Sequence, residues 1–542
     1  MAIAESPTSV QPWFLRLEPA AWCILAVLSA IIPLTVQKRP NLFPDSFQYL
    51  TAANSLHSTG RMATSLVHFN TERSHGTIPA PLTWFPAGYP LAITGFSQLG
   101  CSHETAALLI SVASFVFVAW ALWRLVRIID PSRWTARAAV LCWIISSQAL
   151  FYSVSALSEA MFTMLGLASL LFLVSTEEMN NSVHVWMCWL GSAVMAGLSY
   201  WVRYAGILWV FGCFVFLVAQ IVYGNNGKRS RRPAIAAGAL LVLLVMPVMI
   251  RNVMLVGDWR GGNNTPAAMP LGKFAVDSAR LAFHLVLGDA STGQLALPAI
   301  VIAIGVIGVC ILARRSFRAN FSWRLLLTKQ EIVLAAFLLY AGGIAGIALR
   351  SVIEYGPRMF VPVLPHVIVL ATCFVAFVFR NSSARNYPRW VHPTIALCLL
   401  LGYTVGNFVS RASPAPDTFK KTEEALLQPD PTGHSVKDRL ASELKPNEVI
   451  AATDGQAAGY VLAHPTLSLV GRPYDLTPWS EPVLHKQIDR FGARHLLVFR
   501  DTAFDPVIRE SRFLGTLAAC RTAAPWLQLV SENQSVCVYR VE

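Results

Sequence analysis

Asn41-Leu-Phe-Pro-Asp45-Ser-Phe-Gln-Tyr49-Leu-Thr-Ala-Ala-Asn-Ser-Leu56 lies between two strongly apolar regions, which places it at a membrane surface. An acid, Asp45, stands at the mouth of a short amphipathic helix. Tyr49, Ala52, Ala53 and Leu56 continue one face of it at helical spacing. Pro44-Asp45-Ser46-Phe47-Gln48 fits a helix start with Asp45 as N-cap and Gln48 three residues on, close to a capping box. Capping alone is therefore a serious reading of Asp45. His57, His68, Glu72 and His75 follow, and Trp84-Phe-Pro-Ala-Gly-Tyr-Pro90 closes the segment. Later, Glu159, Arg203, Arg251, Glu354 and Arg358 recur beside apolar stretches. The expectation is that all of them meet on one side of a membrane, around Asp45.

Composition supports the membrane. Of 542 residues, 54% are hydrophobic and 13% charged, against about 25% charged in soluble domains. The mean hydropathy is +0.50. The net charge of +13 does not mark a nucleic-acid binder. From Pro414 to Glu542 there are 14 basic and 16 acidic residues, so the excess sits in short loops between spans, as topology signals do. Seven cysteines (Cys23, Cys142, Cys188, Cys213, Cys310, Cys373 and Cys398) fall in apolar stretches and Cys101 at the edge of one. They read as small buried hydrophobes. Cys520 and Cys537 can pair if the tail faces an oxidising compartment, but spacing fixes no geometry.

The run Ala20 to Val36 is followed by Gln-Lys-Arg-Pro, not by a small-residue cleavage site, and reads as a retained first span. Further spans are expected near 104–126, 136–154, 158–175, 184–202, 205–223, 234–256, 295–313, 331–350, 359–379 and 391–409, about eleven in all. Arginine and lysine clusters at 124–137, 228–232, 314–329 and 380–389 fall on one side, which the positive-inside rule makes cytoplasmic. The loop at 176–183 has no basic residue and is silent. The N-terminus is then cytoplasmic, while the Asp45 segment and the tail are extracytoplasmic. The fold class is thus an α-helical polytopic membrane protein, residues 1–410, followed by a small α/β domain, 411–542. In the tail, Glu448–Ala452, His495–Phe499 and Val536–Val541 read as strands, and Glu481–Phe491 as a helix ending at Gly492.

Each candidate has a plain alternative. Glu159 opens an apolar span, where the helix dipole favours an acid, yet a carboxylate at a span edge is costly and a functional candidate by default. Arg203, Arg251 and Arg358 suit snorkelling one at a time. Converging with an acid, they suit a phosphate, because a guanidinium offers a planar fork to its oxygens. His57, His68, Glu72 and His75 can hold a divalent metal with Asp45, or be exposed loop residues. Their spacing matches no standard ligand set. Asn263-Asn-Thr265 and Asn533-Gln-Ser535 are sequons on the outer side.

Asp45 and Tyr49 early in the first outer loop, Pro86-Ala-Gly-Tyr-Pro-Leu91 at its end, Ala156-Leu-Ser-Glu-Ala160, Met249-Ile-Arg-Asn252 with Gly257, and Tyr355-Gly-Pro-Arg358 with Pro362 and Pro365 together resemble the motif set of the GT-C superfamily of integral-membrane glycosyltransferases. The branch they resemble is that of protein O-mannosyltransferases and lipid A aminoarabinose transferases, over residues 15–410. Two departures stand out. Ser46 follows Asp45 where protein O-mannosyltransferases carry an Asp-Glu pair, which puts a protein acceptor in doubt. The first loop also lacks a clear lysine for the carrier phosphate.

The resemblance implies an inverting transfer from a polyprenyl-phosphate sugar to an acceptor lipid, glycan or protein. Asp45 would serve as base and Glu159 would orient the acceptor or Asp45. Arg203, Arg251 and Arg358, with Tyr49 and Tyr89, would hold the donor phosphate. The competing readings are a transporter or flippase of lipid-linked sugars, which predicts polar mid-span residues and paired broken helices, and a non-catalytic envelope scaffold.

Overall fold

The computed structural model of the chain describes residues 17–37, 39–67, 77–176, 179, 181–223, 228–261, 269–287, 300–307, 330–350, 356–383, 391–411, 418–430, 433–445, 447–469, 479–500, 510–521 and 524–542. Among them, eight helices are long and apolar enough to cross a membrane: Glu18–Thr35, His103–Ile129, Ser182–Val202, Tyr204–Val222, Arg231–Val256, Glu331–Ala348, Pro357–Arg380 and Val391–Ser410. A helix satisfies its own backbone, which is why uninterrupted apolar runs take this form in lipid.

Two other expected spans are built differently. The stretch expected at 136–154 is two helices, Arg133–Ile145 and Ser147–Ser153, parted at Ser146. The break frees backbone donors, and buried Asn407 answers one of them. Its side-chain oxygen accepts from the Ser147 amide at 2.7 Å and the Ser147 hydroxyl at 2.9 Å. The stretch expected at 158–175 is a helix of only 17 residues, Glu159–Ser175, apolar almost all round and buried on nearly every side. An all-apolar helix belongs in an interior, and this one carries Glu159 there as its first residue. The span expected at 295–313 is described only at 300–307, which is helical.

The tail holds most of a six-stranded sheet. In chain order the strands of the protein are β1 Ala63–Thr64, β2 Leu66–Val67, β3 Ala80–Pro81, β4 Ile450–Ala452, β5 Thr466–Ser468, β6 His495–Phe499, β7 Leu527–Glu532 and β8 Val536–Val541. β1 and β3 form a small antiparallel pair. The larger sheet runs β2-β5-β4-β6-β8-β7, parallel through the first four strands and antiparallel through the last two. β4, β6 and β8 are the runs expected from sequence; β5 and β7 are additional. The helix Glu481–Phe491 ends as expected on Gly492, which takes a left-handed conformation at φ 60°. Cys520 and Cys537 form a disulfide that ties the end of the helix Arg512–Ala518 to β8.

One edge strand is not from the tail at all. β2 comes from the first loop, with Leu66 and Val67 paired to Thr466 and Leu467. Val67 is fully buried in the tail's own core, and Ile78 packs against that core. The loop that carries Asp45 and the tail are therefore one structure on one face of the membrane.

Candidate active site

Asp45 lies on the helix Pro44–Thr59, one residue inside Pro44. The expected capping role is not observed. The N-cap is Phe43, whose amide donates to the Ser46 hydroxyl at 3.0 Å. Ser46 does the work that the sequence assigned to Asp45 and Gln48, so the Asp45 carboxylate is not engaged by its own helix. It pairs instead with Arg358, more than 300 positions later in the chain. Gln48 is buried, and its side-chain oxygen has no partner among the described residues.

Arg358 is the second residue of the helix Pro357–Phe360, directly after Gly356. Its guanidinium reaches Asp45 through Nη2 and Glu159 Oε1 through Nε. Arg203 reaches the same Glu159 oxygen through Nη1. Arg203 is placed there by a break: the helix Ser182–Val202 stops, Arg203 is extended (φ −147°, ψ 141°), and a single 3-10 turn leads into the next helix. Gly88 permits this arrangement. A β-carbon on it would lie 2.5 Å from the Trp201 carbonyl oxygen, so only glycine lets the helix Gly88–Ser97 meet the chain just before Arg203.

The cluster is electrically balanced, two guanidiniums against two carboxylates, and little of it is exposed: 0% of the Glu159 side chain, 11% of Arg203, 18% of Arg358 and 19% of Asp45. Buried charges persist only when paired in this way. Tyr49 joins it through Ser158, with the two hydroxyls 3.0 Å apart and Arg203 donating to the same serine oxygen at 3.2 Å. Burial pushes the Tyr49 hydroxyl well above its ordinary pKa, against the pull of Arg203, so it remains a neutral hydrogen-bonding group. Glu159 Oε2 is buried without a partner among the described residues.

Not all candidates meet there. Arg251 lies in the last two turns of the helix Lys228–Val256 and donates through Nη2 to the Leu82 carbonyl at 2.6 Å. Its Nη1 is buried without a partner, and no acid pairs with it among the described residues. Neighbouring Asn252 is fully buried and donates to the Trp259 carbonyl at 3.0 Å. Tyr89 packs its ring edge-on to Tyr49 at 5.0 Å and sends its hydroxyl to the Ala107 carbonyl at 3.4 Å, which makes it a support beneath Tyr49 with its polar end turned away. His57 lies at the far end of the Asp45 helix, 5.7 Å from His103. His68, Glu72, His75 and Glu354 fall outside the described residues, and among those described no group of three or more His, Cys, Asp or Glu gathers. Asn263 is likewise outside them. Asn533 is buried and occupied: it donates to the Ala425 carbonyl at 2.8 Å and accepts from the Ser535 and Val536 amides, so it closes the β7–β8 turn.

Ser158 and Tyr340 were not singled out from sequence as site residues. Ser158 sits in the quoted Ser-Glu element, and its role becomes visible only when Tyr49 and Arg203 arrive. Tyr340 is fully buried and stacks on Trp209 at 5.0 Å, which stacks in turn on His366 at 5.1 Å. Beside Trp209 an apolar groove opens, lined by Gly166, Leu170, Leu208, Gly212, Phe216 and Leu339.

Residues 85–250 match the family model of dolichyl-phosphate-mannose-protein mannosyltransferases. No curated protein matches the sequence. Among solved structures, the chain is similar to ArnT from Cupriavidus metallidurans. With undecaprenyl phosphate bound, that protein is 13% identical at a TM-score of 0.57, with 98% of each chain covered. In its apo state the TM-score is 0.58, with 96% of this chain and 98% of that one covered. The Archaeoglobus fulgidus oligosaccharyltransferase tethered to an acceptor peptide is similar at 12% identity and a TM-score of 0.58, with 98% of this chain and 74% of that chain covered. The chain shares its fold with ArnT and with this oligosaccharyltransferase, and eight helices among its described residues are long and apolar enough to cross a membrane.

Proposed function

We propose that this protein transfers a sugar from a polyprenyl-phosphate donor to an acceptor hydroxyl at the extracytoplasmic face of the membrane, with inversion at the sugar carbon. The observation that carries the reading is Arg358 held between Asp45 and Glu159. A base, a phosphate-binding cation and a second acid, from three distant parts of the chain, share one nearly buried position. The solved ArnT is bound to undecaprenyl phosphate, and an A. fulgidus oligosaccharyltransferase to dolichol phosphate. The buried Nη1 of Arg251, without a partner among the described residues, supports a donor that carries a phosphate.

The mechanism follows from the charges. In the balanced cluster Asp45 is engaged by Arg358. A phosphate arriving at Arg358 competes with both carboxylates and releases Asp45 toward the acceptor. Asp45 takes the hydroxyl proton as the acceptor oxygen bonds to the sugar carbon. The bond from that carbon to the phosphate oxygen breaks, and the electron pair leaves on the polyprenyl phosphate. Arg358 and Arg251 stabilise that growing charge. Glu159 keeps Arg203 and Arg358 in place, and its free Oε2 can accept a hydrogen bond from the acceptor.

The test is mass spectrometry of envelope lipids and glycans from cells lacking the protein, complemented with the native chain or with Asp45→Asn. The expected result is a sugar lost on deletion, restored by the native chain and not by the variant. An unchanged sugar inventory overturns the proposal.

A further inference from the structure

The helix that carries Asp45 is held from the tail. Its Phe47, two residues after Asp45 and two before Tyr49, packs its ring on Tyr460 at 5.4 Å. Tyr460 belongs to the tail helix Gly455–Leu462. Its hydroxyl donates to Glu104 at 2.5 Å, at the start of the span His103–Ile129. Arg39, just before the Asp45 helix, bridges the same Glu104 at 3.2 Å and the tail's Glu423 at 2.7 Å. Ala457, from the same tail helix, is buried in one core with Phe47, Tyr49 and Leu50.

A second, independent tie runs through the backbone. The Ser65 carbonyl accepts from the Thr466 amide at 2.7 Å, extending the β2–β5 pairing. Thr51 of the Asp45 helix meets Thr64 at 3.2 Å, hydroxyl to hydroxyl, and accepts from the Ser65 amide at 3.4 Å. The Asp45 helix is thus fastened to the tail on its ring face and at its Thr51 side.

We infer that Tyr460 is a positioning residue for the transfer site: clamped by Glu104, its ring fixes Phe47 and thereby the placement of Asp45 and Tyr49. This rests on the reading of Asp45 as the base. A tail that merely accompanies the membrane region would need no aromatic contact two residues from that acid. The geometric requirement is strict, because a displacement of about 1 Å at a reacting group is enough to lower a rate by about a hundredfold.

The test uses the full chain in detergent, with Tyr460→Ala and Tyr460→Phe. Hydrogen–deuterium exchange is read on the peptide covering residues 44–59. Transfer is read in proteoliposomes, with total lipid extract of the source cells as donor and the deletion-sensitive sugar as product. For Tyr460→Ala, exchange in that peptide rises about tenfold and the turnover number falls about tenfold, while the KM for the extract stays within about twofold. Tyr460→Phe keeps the ring and loses only the clamp, so it leaves about threefold changes in place of tenfold ones, a grading that a general loss of stability would not give. Unchanged protection of 44–59 in a Tyr460→Ala protein that melts like the native chain overturns the inference. Lost protection with undiminished transfer overturns the positioning role, whereas an active, folded Asp45→Asn protein overturns the reading of Asp45 on which it rests. If Tyr460→Ala does not fold, Tyr460→Phe against the native chain carries both readouts. The hydroxyl clamp then predicts about threefold changes in each, and their absence overturns it.

Discussion

The Phe43 amide donates to the Ser46 hydroxyl at 3.0 Å, and this bond starts the helix that follows. Because serine supplies the cap, the adjacent acid is spared for Arg358. Asp45→Asn should therefore abolish transfer at only a modest cost in melting temperature, because Arg358 keeps Glu159 and an amide oxygen still accepts its hydrogen bond. Ser46→Ala should show the converse, a loss of about 1 kcal/mol of helix stability with transfer reduced but present. Thermal melts and the transfer assay on the two variants check both. An active, folded Asp45→Asn protein removes the base assignment.

Glu159 answers two guanidiniums with one oxygen. Glu159→Ala should destabilise by about 3–5 kcal/mol, because it strands Arg203 in a nearly dry setting and leaves Arg358 with Asp45 alone. Adding Arg203→Met should restore part of that loss, so the double variant melts higher than the sum of the singles requires. Strict additivity in this double-mutant cycle means that the two side chains do not depend on each other.

Arg251 has a buried Nη1 and no acid paired with it among the described residues. Arg251→Gln should weaken binding of undecaprenyl phosphate by about 1.5–3 kcal/mol, the range for a hydrogen bond to a charged group. Binding of undecaprenol, the same chain without the phosphate, should not change. Native mass spectrometry in mixed micelles reads both lipids at once. An equal loss for the two assigns Arg251 to scaffolding.

A β-carbon at Gly212 would find its nearest neighbour, Leu339, at 3.6 Å, so the groove has space at that point. Gly212→Leu should fill it at a cost of about 1–3 kcal/mol in stability, because Gly212 is buried and the space beside it is small. If the prenyl chain lies there, undecaprenyl phosphate binds about tenfold more weakly, equivalent to about 1.4 kcal/mol. A short-chain prenyl phosphate that does not reach Gly212 keeps its affinity. Unaltered binding of the long chain moves its path elsewhere.

In the tail, His495 faces Glu443 at 3.2 Å, and Arg540 reaches the same carboxylate at 2.7 Å. Burial holds the His495 imidazole below its ordinary value of 6.5, outweighing the pull of Glu443. Burial also works against the Glu443 carboxylate, but hydrogen bonds from Arg540 and His495 prevail and hold it below its ordinary 4.5. Both groups bind fewer protons folded than unfolded. Their stabilisation is complete above 6.5 and declines as pH falls, through His495 first and then Glu443. Melting temperatures measured from about pH 7 to pH 5 should fall, and His495→Gln should flatten that part of the curve. A native curve already flat over that interval contradicts the assignment.

What the sequence made legible follows from the range of each interaction. Apolar runs and loop charges are local signals, and they placed the long helices. The helix Glu481–Phe491 carried its own stop in Gly492. The break at Arg203 was also readable, as an arginine with almost no loop on either side. What stayed hidden depends on distant partners. The Asp45 cap was misassigned because aspartate and serine both suit a helix start, and only Arg358 decides between them. Tyr89 sits in a recognisable Pro-x-Gly-Tyr-Pro stretch, but sequence could not show its hydroxyl turning to Ala107. β5 is three residues beside a proline, and β2 is two residues, both too short to announce a strand without the sheet they join.

That short edge has a bearing on biogenesis. Leu66 and Thr466 are made far apart in time, with nearly all the helices inserted between them. The first loop must wait with β2 unmatched until the last part of the polypeptide is delivered to the same side. Such a contact closes late and leaves an interval open to mispairing. Truncation anywhere upstream of Thr466 would leave an orphan edge, an address that proteolytic surveillance at the membrane is suited to read.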